Sequence, residues 1–134
     1  MAKLPPEAMG VFGDPEGSTK MMTTVSKDFK VNVVVIGSFF PMNDETLIFA
    51  DMFLKKTKQN LADNPRVAVT AVKPDAGTYE VIGTLKEWQT TGPLYSMVAD
   101  MIYQRMPVQI HGVGVVQVDE VYSISPTGEE QKLA

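Results

Sequence analysis

The residues best placed to do chemistry are three lysines, Lys55, Lys56 and Lys58, gathered where a short helix should begin. They open the stretch Lys55-Lys56-Thr57-Lys58-Gln59-Asn60-Leu61-Ala62-Asp63-Asn64-Pro65-Arg66. Thr57 suits an N-cap, and Asn60 three positions on half-completes a capping box. Pro65 pushes the residue before it out of the helical region, so the spacing predicts a helix from Thr57 to Asp63. The charge at its start is unusual. A helix N-terminus already carries free N–H groups and the positive end of the dipole, so stability alone would place Asp or Glu there. Two readings fit the lysines. Either they point into water as a solvated basic end, or a phosphate completes the site, since cations around a helix N-terminus trap anions.

A second informative element lies one hairpin earlier. Val33-Val34-Val35-Ile36 runs into Gly37-Ser38-Phe39-Phe40. Gly37 and Ser38 are small enough to let a flat ligand lie against the backbone, whose N–H and C=O groups can read the edge of a polar heterocycle. A planar ring on this strand, with its phosphate at the lysine helix, describes a nucleotide-like ligand. The plain alternative is a buried strand with a glycine bulge.

Other chemistries find little support. The chain has no cysteine and one histidine, His111, which excludes disulfides, thiolate nucleophiles, thiolate zinc sites and multi-histidine metal sites within one chain. His111 falls on the polar face of a strand, where a surface or hydrogen-bonded role is the plainer reading. No Ser/His/Asp order stands out. The Gly112-Val113-Gly114 pair falls within a strand and not in a phosphate loop. No side chain is singled out as catalytic.

Length and composition set the frame for these residues. At 134 residues, 44% hydrophobic and 21% charged, the chain reads as one domain, 1–134, with a core that needs no metal or disulfide. A net charge of −4 argues against a nucleic-acid surface, which needs a basic excess. Apolar runs are too short for a membrane span and no signal-peptide pattern opens the chain, so a cytoplasmic protein is expected.

Residues 1–18, rich in Pro, Gly and Ala, read as a helical turn and loop. Strands are expected over Thr19–Ser26, Val31–Phe40 (covered on both faces), Thr46–Ala50, Arg66–Val72, Thr78–Thr90 and Val108–Val118. Gly83 marks a bend or a close backbone approach in the fifth of these. Gly92-Pro93 opens a helix in which Leu94, Met97, Val98, Met101, Ile102 and Arg105 recur at helical spacing, and Pro107 ends it. The nine methionines read as core filler, and Trp88 and Tyr95 as core or interface aromatics. The tail 126–134 reads as frayed. Connections too short for parallel crossovers favour an antiparallel sheet closed as a small barrel, which removes exposed edges.

Taken together, Asn32-Val33-Val34-Val35-Ile36-Gly37-Ser38, Thr46-Leu47-Ile48-Phe49-Ala50-Asp51, Lys56-Thr57-Lys58-Gln59-Asn60-Leu61 and Asn64-Pro65-Arg66-Val67-Ala68-Val69 resemble the FMN-binding split barrels of pyridoxamine 5′-phosphate oxidase-like proteins. Tyr79-Glu80-Val81-Ile82-Gly83-Thr84 resembles that family's next strand. The match covers most of residues 20–90. It implies a mostly β fold, a six-stranded antiparallel split β-barrel with two or three short helices. It also implies a homodimer with FMN at the subunit interface. By this resemblance Lys56 and Thr57 contact the phosphate, with Lys55 and Asn60 nearby. Val35, Ile36, Gly37 and Ser38 face the ring, and Ala50 and Asp51 meet the ring or the ribityl chain. The chain departs from true pyridoxamine-phosphate oxidases in lacking their arginine- and histidine-bearing C-terminal segment, since Arg66 and Arg105 are its only arginines. The expected function is that of an FMN-binding redox protein, either an electron carrier or a small oxidoreductase. Two alternatives stand beside it: a deazaflavin-binding barrel, and a non-redox module for another phosphorylated ligand.

Overall fold

The computed structural model describes residues 2–134; Met1, the first residue of the expected N-terminal turn, lies outside the described residues. The elements run α1 (Pro6–Phe12), β1 (Thr19–Val25), β2 (Val31–Val35), β3 (Phe40–Asn43), β4 (Thr46–Asp51), α2 (Lys56–Asp63), β5 (Arg66–Lys73), β6 (Gly77–Gln89), α3 (Pro93–Arg105), β7 (Gly112–Ile124) and β8 (Glu130–Lys132). The strands form one antiparallel sheet in the order β2-β1-β5-β6-β7-β4-β3, with β8 added on β7.

The strand count is eight, not the expected six, for two reasons. The run Val31–Phe40 is not one strand. Its ladder to β1 ends at Val35, and the chain resumes as β3 against β4, with Phe40 opposite Ile48. The tail is not frayed either: β8 pairs with β7, and the Leu133 N–H donates to the Val121 carbonyl at 2.8 Å.

The sheet is also not closed by hydrogen bonds. Its two ends, β2 and β3, are consecutive in the chain. The five residue steps from Val35 to Phe40 reach at most roughly 17 Å, so the sheet must curl until its edges face each other across a seam bridged by Ile36–Phe39.

Two clusters divide the interior. Met22, Leu47, Phe49, Val67, Val69, Ala71, Val81, Val116 and Val118 pack with Ala8, Val11 and Phe12 of α1, which closes over the inner face. The expected alternation of β5 holds, with Val67, Val69 and Ala71 all turned inward. Phe39 stacks on Phe49 with centroids 5.1 Å apart, and Trp88 meets Phe49 edge-on at 5.4 Å. Gly114 lies opposite Phe49 in the β4–β7 register, where any Cβ would strike the Phe49 ring. The second cluster, Ile48, Ala50, Val98, Ile102, Ile110, Val113 and Val115, lies beneath α3. Tyr95 is tied to it through a hydrogen bond from its hydroxyl to the Ile110 carbonyl at 2.9 Å.

The strand covered on both faces is therefore β4, with Leu47 and Phe49 on one side and Ile48 and Ala50 on the other. The run expected to be covered is half bare: Val31, Val33 and Val35 are 71%, 60% and 64% exposed. The physical reason is that α3 packs over β4 and β7, leaving no helix for the outer face of β2. Among the described residues no helix is long and apolar enough to cross a membrane.

Gly83 sits at a register shift between β6 and β7, and a Cβ there would lie 2.7 Å from Val116 Cγ1 and 2.8 Å from the Gln117 carbonyl oxygen. Backbone cannot yield as a side-chain tip can. Gly83→Ala should therefore destabilise the fold by about 1–3 kcal/mol, read as a lower urea midpoint at unchanged slope.

Candidate functional site

The site is built around the start of α2. Lys55 flanks the helix at φ −124° and ψ −74°, and no side chain caps the free N–H groups of the first turn. Thr57, expected as the N-cap, is instead the second helical residue. It is buried, and its Oγ1 accepts a hydrogen bond from Asn32 Nδ2 at 3.0 Å. Its hydroxyl is engaged by β2, which is why the helix end stays uncapped. Asn60 is buried as well. Its Nδ2 donates to Thr24 Oγ1 at 3.1 Å and to the Lys30 carbonyl at 3.2 Å, fastening α2 to the β1–β2 hairpin. Both side chains place the helix, and Asn60 Nδ2 is already occupied within the protein.

The three lysines separate into two kinds. Lys58 Nζ lies 2.8 Å from Asp51 Oδ2 and 5.6 Å from the centroid of Trp88. Lys55 and Lys56 are exposed and, among the described residues, form no ion pair. Asp51 is 2% exposed. Besides its pair with Lys58, its Oδ1 accepts the Leu54 N–H at 3.2 Å and its backbone oxygen accepts the His111 N–H at 2.7 Å. Asp51 thus caps the turn that leads into α2. His111 is exposed, but it lies in the bend before β7 and not on a strand face: the strand expected over Val108–Val118 starts only at Gly112, where pairing with Asp51 begins, and runs on to Ile124.

A cavity of about 460 Å³ opens at the seam, within the ~300–1,000 Å³ typical of small-molecule sites. Gly37 and Ser38 line it from the seam, Phe40, Pro41 and Met52 from β3 and the end of β4, and Met101, Ile102, Arg105 and Met106 from the end of α3. Lys20, Gly13 and Pro15 complete the wall. Ser38 is held by the Ala50 N–H, which donates to its Oγ at 3.2 Å, so the seam is fixed to β4. A Cβ added to Gly37 would meet nothing within 4 Å; the fold leaves open space there.

The residues singled out in the sequence are thus distributed. Gly37 and Ser38 reach the cavity. Val35 lies exposed on β2, while Ile36 is 4% exposed in the core with its N–H donated to the Lys20 carbonyl at 3.0 Å, so it does not line the cavity. Ala50 is buried beneath α3. Lys55 and Lys56 lie near the cavity along the chain, three and four residue steps from its lining residue Met52, which reach at most roughly 11 and 14 Å. The methionines expected as core filler divide: Met22 is buried, whereas Met97, Met101 and Met106 are 48%, 44% and 45% exposed.

Lys20 and Arg105 were not marked as site residues. Lys20 is 2% exposed, and its Nζ donates to the Phe39 carbonyl at 2.7 Å. Burial pushes its ammonium below the ordinary lysine range; the charge of Asp14 opposes the shift and that of Arg105 adds to it. A signal was present in the sequence. Lys20 precedes Met22 and Thr24 on the inward face of β1, and a lysine at such a position rarely lacks a role.

Residues 15–125 match the sequence profile described as pyridoxamine 5′-phosphate oxidase. The chain belongs to that family. Its fold is similar to that of HupZ from Group A Streptococcus, at 22% identity over 96% of this chain and 98% of that one, with a TM-score of 0.80. It is similar to an FMN-binding protein from Syntrophomonas wolfei at 17% identity, covering 79% and 76% of the two chains, with a TM-score of 0.72. An F420 reductase also shares the fold, at 21% identity over 88% and 98%, with a TM-score of 0.68. The present chain has an open seam, a pocket beside it and a lysine-flanked helix.

The two kinds of lysine should separate in stability. Lys58→Met leaves the buried Asp51 carboxylate without its cation and should cost about 1–3 kcal/mol, an allowance reduced for the half-exposed ammonium. Lys55→Met and Lys56→Met remove unpartnered charge from the positive end of the helix, and should be neutral or stabilising by up to about 0.5 kcal/mol. Urea unfolding of the three single variants checks the order.

Proposed function

We propose that the protein binds FMN, with the phosphate at the start of α2 and the flavin ring at the seam cavity, and serves as a flavin redox protein. One observation carries this reading. Two lysines that form no ion pair among the described residues stand at an uncapped helix N-terminus, three and four residues along the chain from the wall of a mostly apolar cavity. A phosphate answers the lysines and the free N–H groups, and a planar ring answers the cavity. The residues present fit such a group. Lys55, Lys56 and the first-turn N–H groups would hold the phosphate. The backbone at Gly37 and Ser38, together with Met52, would face the ring.

When bound, FMN supplies the redox chemistry, while the protein supplies position, a partly dry wall and the surrounding charge. Asp51 is committed to Lys58 and to the Leu54 N–H, which favours a structural role for it over proton transfer. Arg66 lies away from the cavity, paired with Asp119 at 3.3 Å, and Arg105 lines its wall; an electron-transfer role is proposed in place of pyridoxamine-phosphate oxidation. A homodimer is part of the proposal. It is supported by the bare apolar face of Val31, Val33 and Val35, by Phe29 at 85% exposure and by Phe53 at 78%, a larger uncovered set than single scattered apolar residues. A deazaflavin is the second reading, favoured by the F420 reductase among the fold's relatives; it too would bring a planar ring and a phosphate.

Absorbance of the purified and reconstituted protein separates the readings. Flavin bands support FMN, a deazaflavin spectrum the second reading, and a protein that neither ligand reconstitutes overturns both. Lys55→Gln with Lys56→Gln should weaken FMN binding at least tenfold, given about 1.5–3 kcal/mol for each charge-assisted contact. Riboflavin, which has no phosphate, should be nearly indifferent. Both lysines are exposed and unpaired, so the fold should survive the change, whereas Thr57→Ala would also break the bond to Asn32.

A further inference from the structure

The seam cavity holds two cations and no carboxylate. Among the described residues, Lys20 and Arg105 are the charged ones that line it, and no acidic residue does. Arg105 closes the last turn of α3 and is exposed, so water can solvate it. Lys20 cannot be solvated in that way. It is 2% exposed, and its ammonium has three donors but one acceptor, the Phe39 carbonyl at 2.7 Å. The carboxylate whose charge reaches it, Asp14, is bound elsewhere: Oδ2 lies 2.8 Å from Lys73 Nζ, and Oδ1 accepts the Glu16 and Gly17 N–H groups at 3.0 and 2.8 Å. A buried ammonium with no carboxylate against it is costly. Its presence on a cavity wall beside a second cation calls for an anion supplied from outside the chain.

The rest of the wall says what kind of anion. Phe40, Pro41, Met52, Met101 and Met106 offer rings and thioethers with no matching hydrogen-bond donors in their side chains. A polyhydroxylated ligand would leave its hydroxyls unanswered there, while a flat or branched apolar body would be accommodated by the flexible methionines. Lys20 and Arg105 line the same cavity, so an anion bound there meets the charge of both.

We propose that Lys20 and Arg105 form a subsite for the carboxylate of a small organic acid with an apolar body. On the flavin reading above, on which this role rests, that acid is the small-molecule reactant that meets the ring. The phosphate site at Lys55 and Lys56 is separate from this subsite and serves the cofactor.

The test uses the protein as purified with its cofactor, and benzoate as the probe, with benzyl alcohol as the uncharged control. Binding is followed by perturbation of the flavin absorbance and by titration calorimetry. Benzoate should bind and benzyl alcohol should bind at least tenfold more weakly. Lys20→Met and Arg105→Gln should each weaken benzoate about tenfold or more without changing the affinity for benzyl alcohol. Lys20→Met should retain the cofactor, with some loss of stability because the buried Phe39 carbonyl loses its donor. Equal affinity for the two probes, or benzoate binding indifferent to both substitutions, overturns the subsite. So does loss of cofactor in Lys20→Met, which would make Lys20 a cofactor ligand. Failure of the flavin reading shows separately, as a protein without flavin absorbance. Calorimetry in that protein still decides whether a carboxylate binds at Lys20 and Arg105.

Discussion

Everything about this molecule depends on how the chain crosses from one edge of its sheet to the other. β2 and β3 are sequence neighbours and also the opposite ends of the strand order. With only Ile36–Phe39 between them, the sheet has to bend into a near-cylinder, and the crossing residues cannot join either ladder along their whole length. Three contacts hold the crossing: the Ile36 N–H on the Lys20 carbonyl, Lys20 Nζ on the Phe39 carbonyl, and the Ala50 N–H on Ser38 Oγ. A barrel closed by hydrogen bonds would have a continuous wall here. The split leaves a gap, and the cavity lies in it.

The same constraint sorts the charges. Cations gather on both sides of the gap, Lys55 and Lys56 at a helix start and Lys20 and Arg105 on the cavity wall, in a chain whose net charge is −4. Acidic groups near the gap are held in local structure: Asp51 caps a turn and pairs with Lys58, and Asp14 is wrapped in its own loop and paired with Lys73. Local bonding of the carboxylates is what leaves the cations free to meet a ligand. The helix that carries two of them is itself placed by neutral hydrogen bonds through Thr57 and Asn60, so holding the helix and binding at its end are tasks for different side chains.

Much of this was legible in the residues. The alternation in Arg66–Val72, the Gly92-Pro93 start of α3, the strong residue pattern around α2 and the close approach at Gly83 are local signals, and the structure carries each of them. What local pattern could not say is which face of an apolar strand another element will cover. Val33–Ile36 and Leu47–Ala50 are equally apolar as text; only the path of α3 makes β4 the doubly buried one. The tail likewise has no apolar pattern, and pairs because β7 is long enough to offer an edge. Thr57 is a good cap by type, but a tertiary hydrogen bond from Asn32 outranks the local one. In the site, small residues and lysines at a helix end were readable. Lys20 was readable only through strand parity, and Arg105 only once α3 had been placed over the cavity.

The methionines give the cavity a chemical history as well as a shape. Met101 and Met106, at 44% and 45% exposure, and Met52 beside them form a wall that can adapt because thioethers turn freely and polarise easily. The same atoms are among the chain's accessible oxidation sites, with Met42 and Met97 elsewhere on the surface, as it contains no thiol. Conversion to sulfoxide would place polar, chiral oxygens on what had been the greasy side of the pocket. A protein handling electrons at that wall would then carry, in its own lining, a record of the oxidants it had met.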